Sequence, residues 1–189
     1  GEVASRLAAE TISRFLIDEL IKAVLLEQKK IADDDFKQLL IIAFNEAQEC
    51  ILRKVPGGGT TLTMAVGVGD QFFSAHVGDS RLYKIDHEGK IYVKTKDHSL
   101  VRRLIDLGEI SQEEASTHPQ RNVLYKAIGQ SDPFKPDIDQ FRIKAGERLL
   151  VCSDGLWGVL SDDEIEKHIK EIPDLERLAA ELVNKANQG

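Results

Sequence analysis

The 189-residue chain is 42% hydrophobic and 30% charged, a balance that excludes a disordered chain and suits one domain with a sizeable core. Its 32 acidic and 25 basic residues leave a net charge of −7, which argues against nucleic-acid binding by bulk electrostatics and is compatible with a site that holds cations. No apolar run approaches the ~20 residues needed to span a bilayer, and Gly1-Glu2-Val3-Ala4-Ser5 lacks the pattern of a signal peptide, so no membrane insertion is expected.

From residue 3 to about 28, Val3, Leu7, Ile12, Phe15, Leu16, Leu20, Val24 and Leu25 make one helical face. A second helix is expected after Asp33-Asp34-Asp35, whose carboxylates suit a helix N-terminus. Its apolar face is Phe36, Leu39, Leu40, Ala43, Phe44, Ala47 and Ile51, and Pro56-Gly57-Gly58-Gly59 ends it. The two should pack as an antiparallel pair. The pattern then shifts to short β-branched and aromatic runs at 60–66, 71–77, 81–85 and 91–95, separated by turn residues, which predicts an antiparallel meander. Residues 99–128 read as short helices and loop. Strands follow near 138–143 and 148–153, then helices over 161–170 and 173–186, the first opening on a Ser161/Glu164 capping box. Helices at both ends and strands between predict an α+β class, helices on antiparallel sheet, in a single domain over 1–189.

Two carboxylates stand out. Asp79 follows the run ending at Val77, in "HVGDSRLY", and Asp154 follows Leu149-Leu150-Val151-Cys152, in "CSDGLW". If the two strands are neighbours, these oxygens converge at one rim of the sheet, and paired carboxylates there suit Mg²⁺ or Mn²⁺. Each aspartate taken alone reads more simply as a turn former, since aspartate favours tight turns without any ligand.

Other motifs carry less. "PGGGTTL" lacks the lysine of a phosphate loop and reads as a flexible helix-to-strand turn, and Gly67-Val68-Gly69-Asp70 reads as a hairpin turn. Asp137-Ile138-Asp139, preceded by Lys135-Pro136, reads as the edge of a strand rather than a nucleophile. No G-x-S-x-G elbow occurs. The five histidines show no metal-ligand spacing; His87, His98, His118 and His168 are expected on surface or loops, and His76 in the sheet. Cys50 and Cys152 form no CxxC pair, so a zinc finger is excluded and a reduced, cytoplasmic setting is expected. Trp157 is expected to anchor the core.

The stretches "GGTTLTMAV", "FFSAHVGDSRLYKI", "TKDHSLVRRLIDLGEI", "HPQRNVLYKAIG" and "ERLLVCSDGLWGVLSDDEI" occur here in that order. Together they closely resemble the metal-dependent protein phosphatase 2C family, especially its compact bacterial members, over nearly the whole chain. The resemblance implies a β-sandwich of two antiparallel sheets flanked by helix pairs. It implies a binuclear Mn²⁺/Mg²⁺ centre whose bridging water attacks phosphoserine or phosphothreonine in line, with no phosphoenzyme. Two cations lower a water's pKa and neutralise developing charge, which gives that chemistry its logic. By the same resemblance Asp154 is the metal-binding, catalytic aspartate of "SDG". Asp79 is the aspartate of "GDSR" that helps hold a further, weaker metal, and residues about 102–129 form a flap near the site.

Some family features are not matched. The D-G-x-G-G turn with its bridging aspartate, the early phosphate-contacting arginine and the late D-N motif have no counterpart here. The expectation is therefore a chain missing terminal strands and holding fewer ions than the family. Phosphoserine and phosphothreonine proteins are the implied partners. A catalytically inactive phosphatase-like binding or regulatory module remains the alternative. Open sheet edges would invite self-association.

Overall fold

The computed structural model describes residues 1–22, 32–130 and 135–189. Helix α1 (Glu2–Ile21) buries Ala4, Ala8, Ile12 and Leu16, a strict i, i+4 stripe. The expected face is thus rotated: Val3 is 53% exposed, while Leu7, Phe15 and Leu20 are only partly buried. The small residues decide this, because Ala4 and Ala8 join Ala43 and Ala47 of α2 (Asp33–Lys54) in one fully buried cluster and let the two helices approach closely. Val24 and Leu25, assigned to the same face, lie outside the described residues. Asp33, Asp34 and Asp35 fill the first turn of α2, and Arg53 and Lys54 the last, each matching the helix dipole.

This helix pair covers one face of a three-stranded antiparallel sheet in the order β1-β2-β5, formed by Leu62–Val68, Gln71–Val77 and Asp137–Arg142. Strand alternation points Phe73, Ala75 and Val77 at the helices, where Phe73 meets Phe36 with ring centroids 4.6 Å apart. Leu40, Phe44 and Ile51 are 0% exposed, and each such side chain contributes about 1.5–3 kcal/mol of burial.

The second sheet has the order β4-β3-β6, from Ile91–Val93, Arg81–Ile85 and Arg148–Cys152. Its core side carries Tyr83, Ile85 and Ile91. These pack with Ile165 and Ile169 of α6 (Asp162–Glu171) and Leu178 and Leu182 of α7 (Leu175–Ala186). The Ser161/Glu164 capping box at the start of α6 forms as expected. Polar contacts also join the inner faces: Lys94 pairs with Asp139 at 2.8 Å, and Lys84 donates to the Arg142 carbonyl at 3.1 Å.

The structure corrects the meander. β2 does not pair with β3; each is the central strand of its own sheet. The Gly69-Asp70 hairpin joins β1 and β2 as expected, but Gly78-Asp79-Ser80 carries the chain from one sheet to the other. Alternation marks strands without saying which strand pairs with which, so the crossover was invisible in the pattern. Asp137-Ile138-Asp139 opens β5, an outer strand, as expected. Residues 99–128 contain short α3 (Leu100–Asp106) and α4 (Gln112–Thr117), and the four-residue α5 (Asp154–Trp157) follows β6. No helix among the described residues is long and apolar enough to cross a membrane.

Candidate functional site

Asp79 sits on the inter-sheet crossover, and the surrounding chain fixes that crossover from several sides. Gly78 adopts φ +111°, a conformation open to glycine, and a Cβ there would collide with Thr61. The His98 amide donates to the Gly78 carbonyl at 2.7 Å, and the Gly78 amide donates back to His98 Nδ1 at 3.0 Å. Trp157 Nε1–H donates to the Asp79 carbonyl at 3.0 Å. The Thr63 hydroxyl reaches the Ser80 carbonyl at 2.9 Å, and Thr61 Oγ1 lies 2.9 Å from Ser80 Oγ.

Asp154 arrives from the other sheet. β6 ends at Cys152, Ser153 turns the chain, and Asp154 opens α5. The glycine after it is not a sharp-turn residue: Gly155 lies inside α5 and is absent from the left-handed positions, the strained turn being at Gly78. Leu156 and Leu160 are the buried anchors of this segment. Trp157 is half-buried and, contrary to expectation, is no core anchor. Its polar N–H has a carbonyl to reach, so the ring stays at the site margin with the Arg81 guanidinium 3.8 Å over it.

Arg81 ties these parts together. It binds Asp97 through both oxygens, at 3.1 and 2.7 Å, and donates to the Tyr83 hydroxyl at 3.3 Å; that hydroxyl donates to Asp162. The Arg81 and Asp97 side chains are only 19% and 9% exposed.

Asp79 and Asp154 therefore line one open cavity of about 590 Å³, with Thr60, Thr61, Ser80 and Asn122 among the other walls. Among the described residues no lysine or arginine lines it. Burial raises the Asp79 carboxyl above its ordinary range, and the nearby Asp154 charge raises it further. Two carboxylates that disfavour each other, among neutral oxygens, form a donor set suited to a hard divalent cation that keeps several waters. Among the described residues no cluster of three or more His, Cys, Asp or Glu side chains could hold a metal. Solvent, substrate and neutral oxygens must complete any coordination here. Cys50 and Cys152 are free thiols.

The sequence reading missed His98. It lies in the loop between β4 and α3, as expected, but is buried at 2% exposure, and its ring stacks on buried His76 at 4.8 Å. Burial and then the His98 neighbour lower the His76 pKa to about 4. Beyond Gly78, His98 Nε2 lies 3.0 Å from Asp137 Oδ2, and Lys126 reaches the other Asp137 oxygen at 2.7 Å. The available signal was the pair Asp97-His98 itself, two adjacent polar residues in the loop after β4, each with its own partner.

The family model for protein phosphatase 2C matches residues 1–187. The serine/threonine phosphatase stp of Listeria monocytogenes is 32% identical over 99% of this chain and 73% of its own length. The protein phosphatase PhpP of Streptococcus pneumoniae is 38% identical over 69% of this chain, and the match spans 53% of that protein, about half its length. Among solved structures, the Mycobacterium tuberculosis serine/threonine phosphatase PstP/Ppp superposes with a TM-score of 0.81 at 31% identity, covering 98% of this chain and 75% of that one. The catalytic domain of PstP in complex with two manganese ions gives a TM-score of 0.79 at 29% identity, covering 98% of this chain and 74% of that one. With two helix-covered antiparallel sheets, two aspartates at one cavity and a family match from residue 1 to 187, the chain belongs to the protein phosphatase 2C family.

Proposed function

We propose that this chain forms a metal-dependent protein serine/threonine phosphatase domain in which Asp79 and Asp154 bind Mn²⁺ or Mg²⁺ and phosphoserine or phosphothreonine proteins are the substrates. The observation that carries this reading is the meeting of the two carboxylates in a cavity that no basic side chain among the described residues lines. Such a wall repels a bare phosphate, so cations must come first to make the site attractive to it. Bound there, divalent cations would polarise the phosphate ester and lower the pKa of a water.

The chain's own groups have separate tasks in this reading. Asp79 supplies anionic oxygens from the inter-sheet crossover and Asp154 from the turn after β6. Ser80, Thr60 and Asn122 offer neutral hydrogen-bonding groups to the substrate's phosphate and backbone. Asn122 and Leu124 bring the 102–129 segment to the cavity wall, which supports its reading as a flap over the substrate. The free thiols support action in a reduced, cytoplasmic setting. The manganese complex of PstP and the phosphatase names of the relatives support the assignment of metal and reaction.

The test is phosphate release from a phosphothreonine peptide by the purified protein. Mn²⁺-dependent turnover that EDTA abolishes and added Mn²⁺ restores is the expected result. Mn²⁺ binding without turnover on phosphoserine or phosphothreonine peptides would overturn the enzymatic reading.

A further inference from the structure

We propose that His98 is a positioning residue for Asp79, acting through the Gly78 peptide. The proposal rests on the reading of Asp79 as a cation ligand. Gly78 has no side chain with which to hold its own conformation, yet it occupies a backbone region that only glycine enters freely. His98 takes both of its polar groups, accepting from its amide and donating to its carbonyl. The orientation of the next peptide, and hence of the Asp79 carboxylate, follows from that two-point hold.

The hold requires one tautomer. Because Nδ1 accepts the Gly78 N–H, the ring proton of neutral His98 sits on Nε2, and the Asp137 carboxylate accepts it at 3.0 Å. Lys126 keeps Asp137 charged: burial alone would raise that carboxyl, but the bonds from Lys126 and His98 hold it below its ordinary range. Lys126 Nζ also lies 3.5 Å from Nε2, with both groups turned to Asp137. The His76 ring on one side and the Tyr125 ring edge at 5.6 Å fix the plane. This is the arrangement by which a buried partner orients a ligand without touching the ion.

The test separates the two nitrogens. In His98→Asn the amide oxygen takes the place of Nδ1 and keeps an acceptor for the Gly78 N–H while losing Asp137. In His98→Gln the side chain reaches toward Asp137 and leaves the Gly78 N–H without its acceptor. Calorimetric titration with Mn²⁺ is expected to show the Gln variant weakened about 10–100-fold, the range for lost outer partners of a metal ligand, and the Asn variant to rescue most of that loss. Equal weakening in both variants means that His98 only supports the fold and overturns the proposal, as does wild-type affinity in the Gln variant. An Asp79→Asn control distinguishes the underlying failure: if it binds Mn²⁺ like wild type, Asp79 is no ligand and the proposal falls with that reading. The ¹⁵N resonances of His98 in the unmodified protein give a readout independent of variant folding. They should report Nε2–H at neutral pH, and an Nδ1–H tautomer would contradict the proposal.

Discussion

Replacing Asp154 with asparagine is expected to lower Mn²⁺-stimulated phosphate release by at least about 100-fold, beyond the 10–100-fold typical of groups that only support a ligand. The carboxylate is exposed and opens a four-residue helix, so little packing depends on it. Exposed substitutions of this kind change stability by only about 0.5 kcal/mol. Removal of one of two like charges also relieves Asp79, whose carboxyl is raised first by burial and then by Asp154. The variant should therefore melt with the wild type while losing turnover. Phosphate release and a thermal melt on the same sample check both halves. Retained Mn²⁺-dependent turnover would remove Asp154 from the site.

Arg81→Ala should produce the largest loss of stability. The guanidinium and the Asp97 carboxylate are largely buried and joined by two hydrogen bonds. Removing one partner of such a pair costs about 3–5 kcal/mol because the other charge is left without compensation. Two further contacts go with it, the bond to the Tyr83 hydroxyl and the stack on Trp157. For a chain of 150–250 residues, each 1 kcal/mol shifts Tm by about 2–4 °C, so a fall of about 6–20 °C is expected. The double change Arg81→Met with Asp97→Leu should recover much of this, since exchanging both charges for packed apolar groups is often neutral. Denaturant melts of the two variants decide it; equal stability of Arg81→Ala and wild type would show that the pair is solvated.

Much of the scaffold was legible because burial imposes simple periods. β2 and β3 fall where alternation placed them, at Gln71–Val77 and Arg81–Ile85. α2 buries the Phe36, Leu40, Ala43, Phe44, Ala47 and Ile51 stripe that its spacing announced. Periodicity failed where contact distance mattered more than apolar character. On α1 alanines, not the larger Val3, face the partner helix.

The site was legible in part. Asp79 and Asp154 were visible as aspartates after strands, and the structure brings them to one cavity. What holds them was not visible. One loop is the crossover between the sheets and the other follows β6, and their supports are residues distant in sequence: His98 on Gly78, Trp157 on the Asp79 carbonyl and Arg81 on Asp97. Trp157 looked like core from its size alone, but its single donor drew it to the rim. Each support depends on a pairing between segments that no local pattern encodes.

The most direct test of the account is Mn²⁺ titration into wild type, Asp79→Asn, Asp154→Asn and the double variant, followed by calorimetry. The account predicts that each single change weakens binding and that the double change abolishes it. A double variant that still binds Mn²⁺ as tightly as wild type would contradict it, and the cation would then have to be held elsewhere.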